Sequence, residues 1–481
     1  MNMQSLTSEN GREALAGRLR WLLRRVEPLL RALGVEQDEG DAHGGMARAG
    51  LDAVFSFGVR VASAFLAFLM SVLMARWLGA HEFGIYTYVW TMVNVVGTLA
   101  MVGLAMSAVR FLNEYLAHDR PDLARGFLRF GRQVSIILGA LLAAASIAVF
   151  WFAPNIIDDD FRLPLVIGML SLPAFALTNF HDGTGRARSW LGLAIVPPYV
   201  LRPLLILLLV GAGLVLLDAR DAVLAASALT IATWIVAILQ YLMQERRLRA
   251  ELGRVRPAMR RMEWLRVSFP LLLLDSFTLL MMNIDILLLE RFVTPDQLGI
   301  YFAAARVIAF VAFVHFAVVA VAMPRFAAAY ARRDIATAAR LLRLFRLWTL
   351  APSLLGTGVL LLMGPFILGM FGPEFVSAMP IMIVLAAGYL ANALTGPAEA
   401  MLAVSGKQVF IAWLSGVTAG LNVVLNLVLI PVYGPLGAAI ATSCSFIFQA
   451  AMLWWASNRL VRKGYDEAPT EHDEAAMAET R

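Results

Sequence analysis

Apolar stretches of about 20 residues, broken by short polar links, recur about twelve times along the chain. They centre near 51–76, 85–109, 133–154, 162–180, 191–216, 222–243, 267–290, 298–323, 347–371, 377–404, 408–431 and 435–458. As helices, each is long enough to cross roughly 30 Å of hydrocarbon. The links alternate in character. Arginines crowd every second one: Arg18 to Arg25, Arg110 to Arg132, Arg186 to Arg188, Arg246 to Arg266, Arg332 to Arg346 and Arg459 to Lys463. The links between, such as AHEFG, IIDDDF, LDARD and FGPEF, are short and neutral or acidic. Basic links stay on the cytoplasmic side during insertion, so the pattern predicts an even number of spans with both termini inside.

The pattern also repeats. RWLGAHEFGIYTYVW from Arg76 returns in diverged form as RFVTPDQLGIYFAAA from Arg291. One shift of 215 residues aligns, without a gap, Gly84-Ile85-Tyr86 with Gly299-Ile300-Tyr301, Arg110-Phe111 with Arg325-Phe326, Tyr115 with Tyr330 and Asp119 with Asp334. Six spans per copy keep both copies the same way up in the membrane. The expected fold is therefore an all-α polytopic membrane protein, with two parallel six-helix bundles around a central cavity. Its expected parts are an amphipathic cytoplasmic arm and linker (1–46), a first bundle (47–244), a basic cytoplasmic linker (245–266), a second bundle (267–461) and a disordered acidic tail (462–481). Tyr86 and Tyr301 then fall just inside the outer interface, where aromatic residues are favoured without any role in binding.

Composition agrees with the pattern. At 60% hydrophobic and 15% charged, with a mean hydropathy of +0.73, the chain lies far from soluble proteins, in which about a quarter of residues are charged. The net charge of +6 marks one membrane face rather than a basic domain, so no nucleic-acid partner is expected. One cysteine, Cys444, allows neither a disulfide framework nor a cysteine metal site, and no cofactor is expected. The outer links are too short to gather catalytic groups, and there is no phosphate-cradling glycine loop or His-rich motif; this argues against an enzyme.

Ionisable groups inside the spans are the candidate chemistry, since each costs about 2.5–3.5 kcal/mol at the helix centre. They are Arg60, Arg202, Asp275, Asp285, Arg306 and Glu399. The plainer reading of each is a buried ion pair or a side chain reaching back to the interface. Arg60 and Asp275 are repeat mates and suit a latch across the cavity that an anionic headgroup would open. Asp285 and Arg306 lie equally far from the turn at Pro295, and are expected to pair within one hairpin. Arg202 sits in VPPYVLRPLL, where Pro197, Pro198 and Pro203 are expected to break or kink the span. Its planar guanidinium suits a pyrophosphate through two parallel hydrogen bonds. Glu399 suits a proton carrier or a partner for a basic group near the inner face. Asn94, Asn283, Asn392, Asn422 and Asn426 add amides between helices, and His315 reads as a packed helix residue. The expected cavity set is thus Arg60, Arg202, Arg306 and Asn283, with Asp275, Asp285 and Glu399 for gating or ion coupling. The first half shows no in-span carboxylate to neutralise Arg60 and Arg202.

The segments ARWLGAHEFGIY and VRFLNEYLA, with FPLLLLDSFTLLMMNIDILLLERFVTPDQLGIYFAAARV in the second half, resemble the polysaccharide (Wzx-type) flippases of the multidrug/oligosaccharidyl-lipid/polysaccharide exporter superfamily. The resemblance covers 51–460. It implies a V-shaped pair of bundles in the cell inner membrane that flips oligosaccharides linked to polyprenyl pyrophosphate from the cytoplasmic to the outer leaflet by alternating access. O-antigen, lipopolysaccharide or exopolysaccharide synthesis is the implied setting, with membrane lipids, a polymerase and glycosyltransferases as partners. Two other classes remain: a multidrug or cation-coupled antiporter of the same superfamily, and a membrane glycosyltransferase or polymerase.

Overall fold

The computed structural model describes residues 43–152, 157–188, 190–253 and 255–466, without the side chains of 43–57, 59–61, 191, 273–278, 280–281 and 463–466. Residues 1–42 of the expected N-terminal arm and 467–481 of the acidic tail lie outside the described residues, as do the side chains of Arg60 and Asp275, while 43–46 and 462–466 are helical. The chain forms two compact units, Met1–Gly58 and Val59–Arg481. In the first, residues 43–58 are helical. All contacts below belong to the second.

The described residues are helical and contain no strand. In order, the helices are α1 (His43–Leu99), α2 (Leu104–Ala117), α3 (Pro121–Phe152), α4 (Asp159–Met169), α5 (Leu172–Ala187), α6 (Leu191–Val196), α7 (Arg202–Leu217), α8 (Ala222–Leu252) and α9 (Arg261–Leu289). The second half continues with α10 (Pro295–Ile308), α11 (Ala312–Ala331), α12 (Ile335–Leu362), α13 (Gly364–Gly369), α14 (Met379–Thr395), α15 (Ala398–Val404), α16 (Gln408–Tyr433) and α17 (Pro435–Asp466). Large apolar side chains such as Phe152, Leu208, Val215 and Val409 are exposed, as on helices whose solvent is lipid. This is a multi-pass membrane protein.

Among the described residues, nine stretches are long and apolar enough to span a bilayer; α4 and α5, bent by 51° across a short break, make a tenth. About twelve were expected. Part of the difference is that α1 runs through two expected spans with one break at Gly79, whose φ of 81° and ψ of 170° lie outside the helical region. Glycine takes that backbone without the Cβ penalty other residues meet. The expected span 267–290 falls in α9, within which the side chains of 273–278 and 280–281 are outside those described.

The repeat is visible in the contacts. Gly84 of α1 packs on Gly299 of α10 so closely that a Cβ on Gly299 would lie 2.6 Å from the Ala80 carbonyl oxygen. Reciprocally, a Cβ on Gly84 would strike the carbonyl oxygen of Pro295, the repeat mate of Ala80. Small residues let two backbones approach in this way.

Two arginine clamps echo each other. Arg132 of α3 donates through Nη1 to Glu245 of α8 at 2.6 Å and through Nε to His181 Nε2 of α5 at 3.3 Å, with its guanidinium 4.8 Å from the Tyr241 ring centre. Arg346 of α12 donates to Asn458 Oδ1 (3.1 Å) and Ser457 Oγ (2.8 Å) of α17 and to the Thr395 carbonyl of α14 (3.3 Å), lying 3.8 Å over Trp454. Each clamp ties the corresponding three helices of its half, one residue off the repeat spacing. Residues 245–266 are helical to Leu252 and again from Arg261; Trp264 is fully buried against Phe127 and Phe130 and donates to Tyr115 Oη at 2.8 Å.

Candidate functional site

The prolines before Arg202 do not break the span. Residues Pro197–Leu201 form a π turn, in which the Arg202 N–H reaches back five residues to the Pro197 carbonyl, and the stretch Gly192–Leu217 continues as one apolar helix. Proline has no N–H to give to the usual bond, and the wider turn accommodates that loss. Arg202 emerges from the turn almost wholly buried, its guanidinium 4.9 Å from the Trp90 ring centre and 5.3 Å from Phe175. Its Nη1 has no hydrogen-bond partner. Cation–π contact in a desolvated site contributes about 2 kcal/mol, a partial offset to burial.

Arg202 faces a cavity of about 590 Å³. Its walls come from α1, α5, the π turn and α7 in the first half and from α9, α10 and α11 in the second. Arg306 and Asn283 line it, and Arg306 is exposed to it. Neither Arg202 nor Arg306 has a salt bridge among the described residues. Tyr86 lies within electrostatic range of both guanidiniums, and its buried hydroxyl has no partner. Tyr86 and Tyr301 are both buried within the protein, and Tyr86 is part of the cavity wall.

Two expectations are corrected. Asp285 does not pair with Arg306. Its carboxylate accepts from the Tyr301 hydroxyl and from the Ile286 N–H at 2.9 Å. Tyr301 and Arg306 are five residues apart on α10, about 140° around the helix, so the side that meets Asp285 turns Arg306 away. Asp285 and Glu399 are not in the cavity wall, and Glu399 is exposed at the start of α15 with no hydrogen bond or ion pair among the described residues. The first half also has a cavity carboxylate after all. Asp182 is 2% exposed and forms an ion pair with Arg186 one turn along α5, and both line the cavity. Sequence took the apolar run to end near 180 and read Arg186 as part of a link, but α5 extends to Ala187. The wall therefore carries three arginines against one aspartate, with Asn94 and Asn179 adding amides and Trp90, Phe302, Phe310 and Phe313 giving aromatic faces.

The comparisons follow this geometry. The family model described as "Polysaccharide biosynthesis protein" matches residues 51–329. No curated protein matches the chain. Among solved structures, an inward-facing multidrug resistance MATE family transporter of the MOP superfamily superposes with a TM-score of 0.68 at 14% identity, over 84% of this chain and 96% of that one. The lipid II flippase MurJ in an inward closed conformation gives 0.66 at 12% identity, over 87% and 94%. A MOP superfamily transporter from Pyrococcus furiosus gives 0.59 at 13% identity, over 86% and 96%. The fold is that of these transporters.

Proposed function

The chain belongs to the polysaccharide biosynthesis protein family, and from that premise we propose that it is a flippase rather than an enzyme, carrying lipid-linked oligosaccharide across the inner membrane for surface polysaccharide synthesis. One observation carries the reading: a cavity walled by helices of both repeats holds two guanidiniums without carboxylate partners, in a setting where cations are otherwise disfavoured. Such a surface suits the pyrophosphate or acidic sugar of a substrate whose polyprenyl tail stays in the bilayer. The aromatic faces beside the arginines suit sugar rings. Arg60 joins this surface in the proposal, and Asp275 is its latch partner. Glycosyltransferases would supply the headgroup on the cytoplasmic side, and alternating access between the repeats then passes it to the outer leaflet, where a polymerase would meet it.

The test is complementation. In a strain lacking the native protein, Arg202→Ala and Arg306→Ala should each lower surface polysaccharide at unchanged protein level; full polysaccharide in both variants would overturn the proposal. Arg202→Lys should also fall, because it keeps the charge but loses paired hydrogen bonds and aromatic stacking. The proposed orientation has its own check. In a Cys444→Ala background, cysteines at Asp159, Asp218 and Pro373 should react with an impermeant reagent from outside, and Arg256→Cys should not.

A further inference from the structure

A second cleft, of about 470 Å³, opens away from the central cavity between α3, α8, Val255 and Pro257. Arg125, Arg129 and Arg132 point three guanidiniums into it from one side of α3. Two of them are incompletely used. Arg125 donates through Nη2 to the Gly253 carbonyl at 2.5 Å, but its buried Nε has no partner; Arg132 is held by Glu245 and His181, but its buried Nη2 has none. Arg129 is exposed and makes no hydrogen bond or ion pair among the described residues. The one acidic group in the wall, Glu245, is already shared between Arg132 and Arg249, at 2.6 and 2.9 Å. Buried guanidinium N–H groups without acceptors are costly, and the Arg125 and Arg132 side chains that carry them line the cleft.

Along the same stripe of α3 the chemistry then changes. Arg125, Arg129 and Gln133 are followed by Ile136, three turns or about 16 Å from Arg125, and Ile136 is itself exposed. The remaining wall is apolar: Leu128, Leu248, Val255 and Pro257. A free phosphate has no use for that half of the cleft. A phospholipid does, because its phosphate and its first acyl carbons are separated along the same axis and in the same order.

We propose that this cleft is a binding site for the phosphate of an anionic phospholipid, seated on Arg125, Arg129 and Arg132 with its acyl chains running past Ile136. The site is separate from the transport cavity, sharing no wall residue with it, and so stands or falls apart from the transport reading. A lipid held there would join α3 to α8 and to Val255 and Pro257, which lie just before the second half.

Native mass spectrometry of the full chain in detergent tests this, with phosphatidylglycerol, phosphatidylcholine and inorganic phosphate as probes. Wild type should retain phosphatidylglycerol in preference to phosphatidylcholine. Arg125→Gln and Arg129→Gln should each lower phosphatidylglycerol affinity about fivefold, leaving phosphatidylcholine unchanged. Arg129→Gln removes no contact within the protein, so its unfolding temperature without lipid should match wild type and guard against misfolding of the other variant. Equal retention of the two lipids by wild type, an unchanged preference in both variants, or stabilisation by inorganic phosphate alone equal to that by phosphatidylglycerol would overturn the proposal.

Discussion

His81 Nδ1 lies 3.2 Å from Asp296 Oδ2, and these positions are 215 residues apart, which is the register of the internal repeat. A residue meets its own repeat mate only near a two-fold axis that exchanges the copies. Gly84 against Gly299, three residues further on, is a second such pair. The crossing of α1 and α10 therefore marks a local two-fold relation, and its closeness depends on two missing Cβ atoms. Gly299→Ala and Gly84→Ala should each destabilise by about 1–3 kcal/mol, the usual range for overpacking. Gly356→Ala in α12, where an added Cβ meets nothing within 4 Å, should be neutral or mildly stabilising. Thermal unfolding in detergent, followed by tryptophan fluorescence, distinguishes these outcomes.

The pairing of Asp285 with Tyr301 makes a different prediction from the ion pair that sequence suggested. Tyr301→Phe should remove one of the two donors to a buried carboxylate and cost about 1–3 kcal/mol. Arg306→Ala should leave stability nearly unchanged, since its guanidinium faces the cavity. Were Arg306→Ala to destabilise as much as Tyr301→Phe in the same unfolding assay, Asp285 would have to lean on the arginine instead.

The two arginine clamps should respond unequally to lysine. Arg132 meets a carboxylate, which a point charge can also satisfy, so Arg132→Lys should cost under about 1 kcal/mol. Arg346 meets only neutral oxygens spread over two helices and a tryptophan face at 3.8 Å. Lysine cannot fork to all of them, and Arg346→Lys should cost about 2 kcal/mol. Unfolding midpoints of the two variants, compared side by side, decide the matter; equal losses would mean that the neutral oxygens around Arg346 discriminate no more between guanidinium and ammonium than the carboxylate at Arg132 does.

Much of this was legible in the chain, because burial in lipid leaves a coarse signature. The apolar runs located the helices, and the ungapped match of Gly84-Ile85-Tyr86 to Gly299-Ile300-Tyr301 located the crossing. Arg202 and Arg306 stood out as cations inside apolar runs, and both line the cavity. What stayed hidden depends on rotation and on helix ends. Equal depth suggested Asp285 with Arg306, but depth says nothing about which way a side chain turns around its axis. Asp182 was lost because hydropathy falls before α5 ends, so a cavity carboxylate looked like part of a link. The clamps escaped notice because Arg132 and Arg346 are one residue off the register that made the rest of the repeat visible.

Asp182 separates the two transport readings. A cation-coupled antiporter would need a cavity carboxylate that exchanges its cation during the cycle, and Asp182, 2% exposed and facing the cavity, is the group in the first half that fits. In the flippase reading its work is local: it neutralises Arg186 one turn away, so the net positive charge of the wall rests on Arg202 and Arg306. Asp182→Asn keeps the shape and hydrogen-bonding capacity while deleting the charge. For a flippase with an anionic substrate this makes the wall more positive, and surface polysaccharide should stay within about twofold of wild type. For an antiporter the coupling site is gone, and transport should fall by about tenfold or more, with loss of its dependence on the ion gradient. The double variant Asp182→Asn with Arg186→Gln restores the charge balance and guards against a folding defect. Recovery of polysaccharide in the double variant after a loss in the single one would assign Asp182 to holding Arg186, whereas loss in both would return the carboxylate to the coupling role.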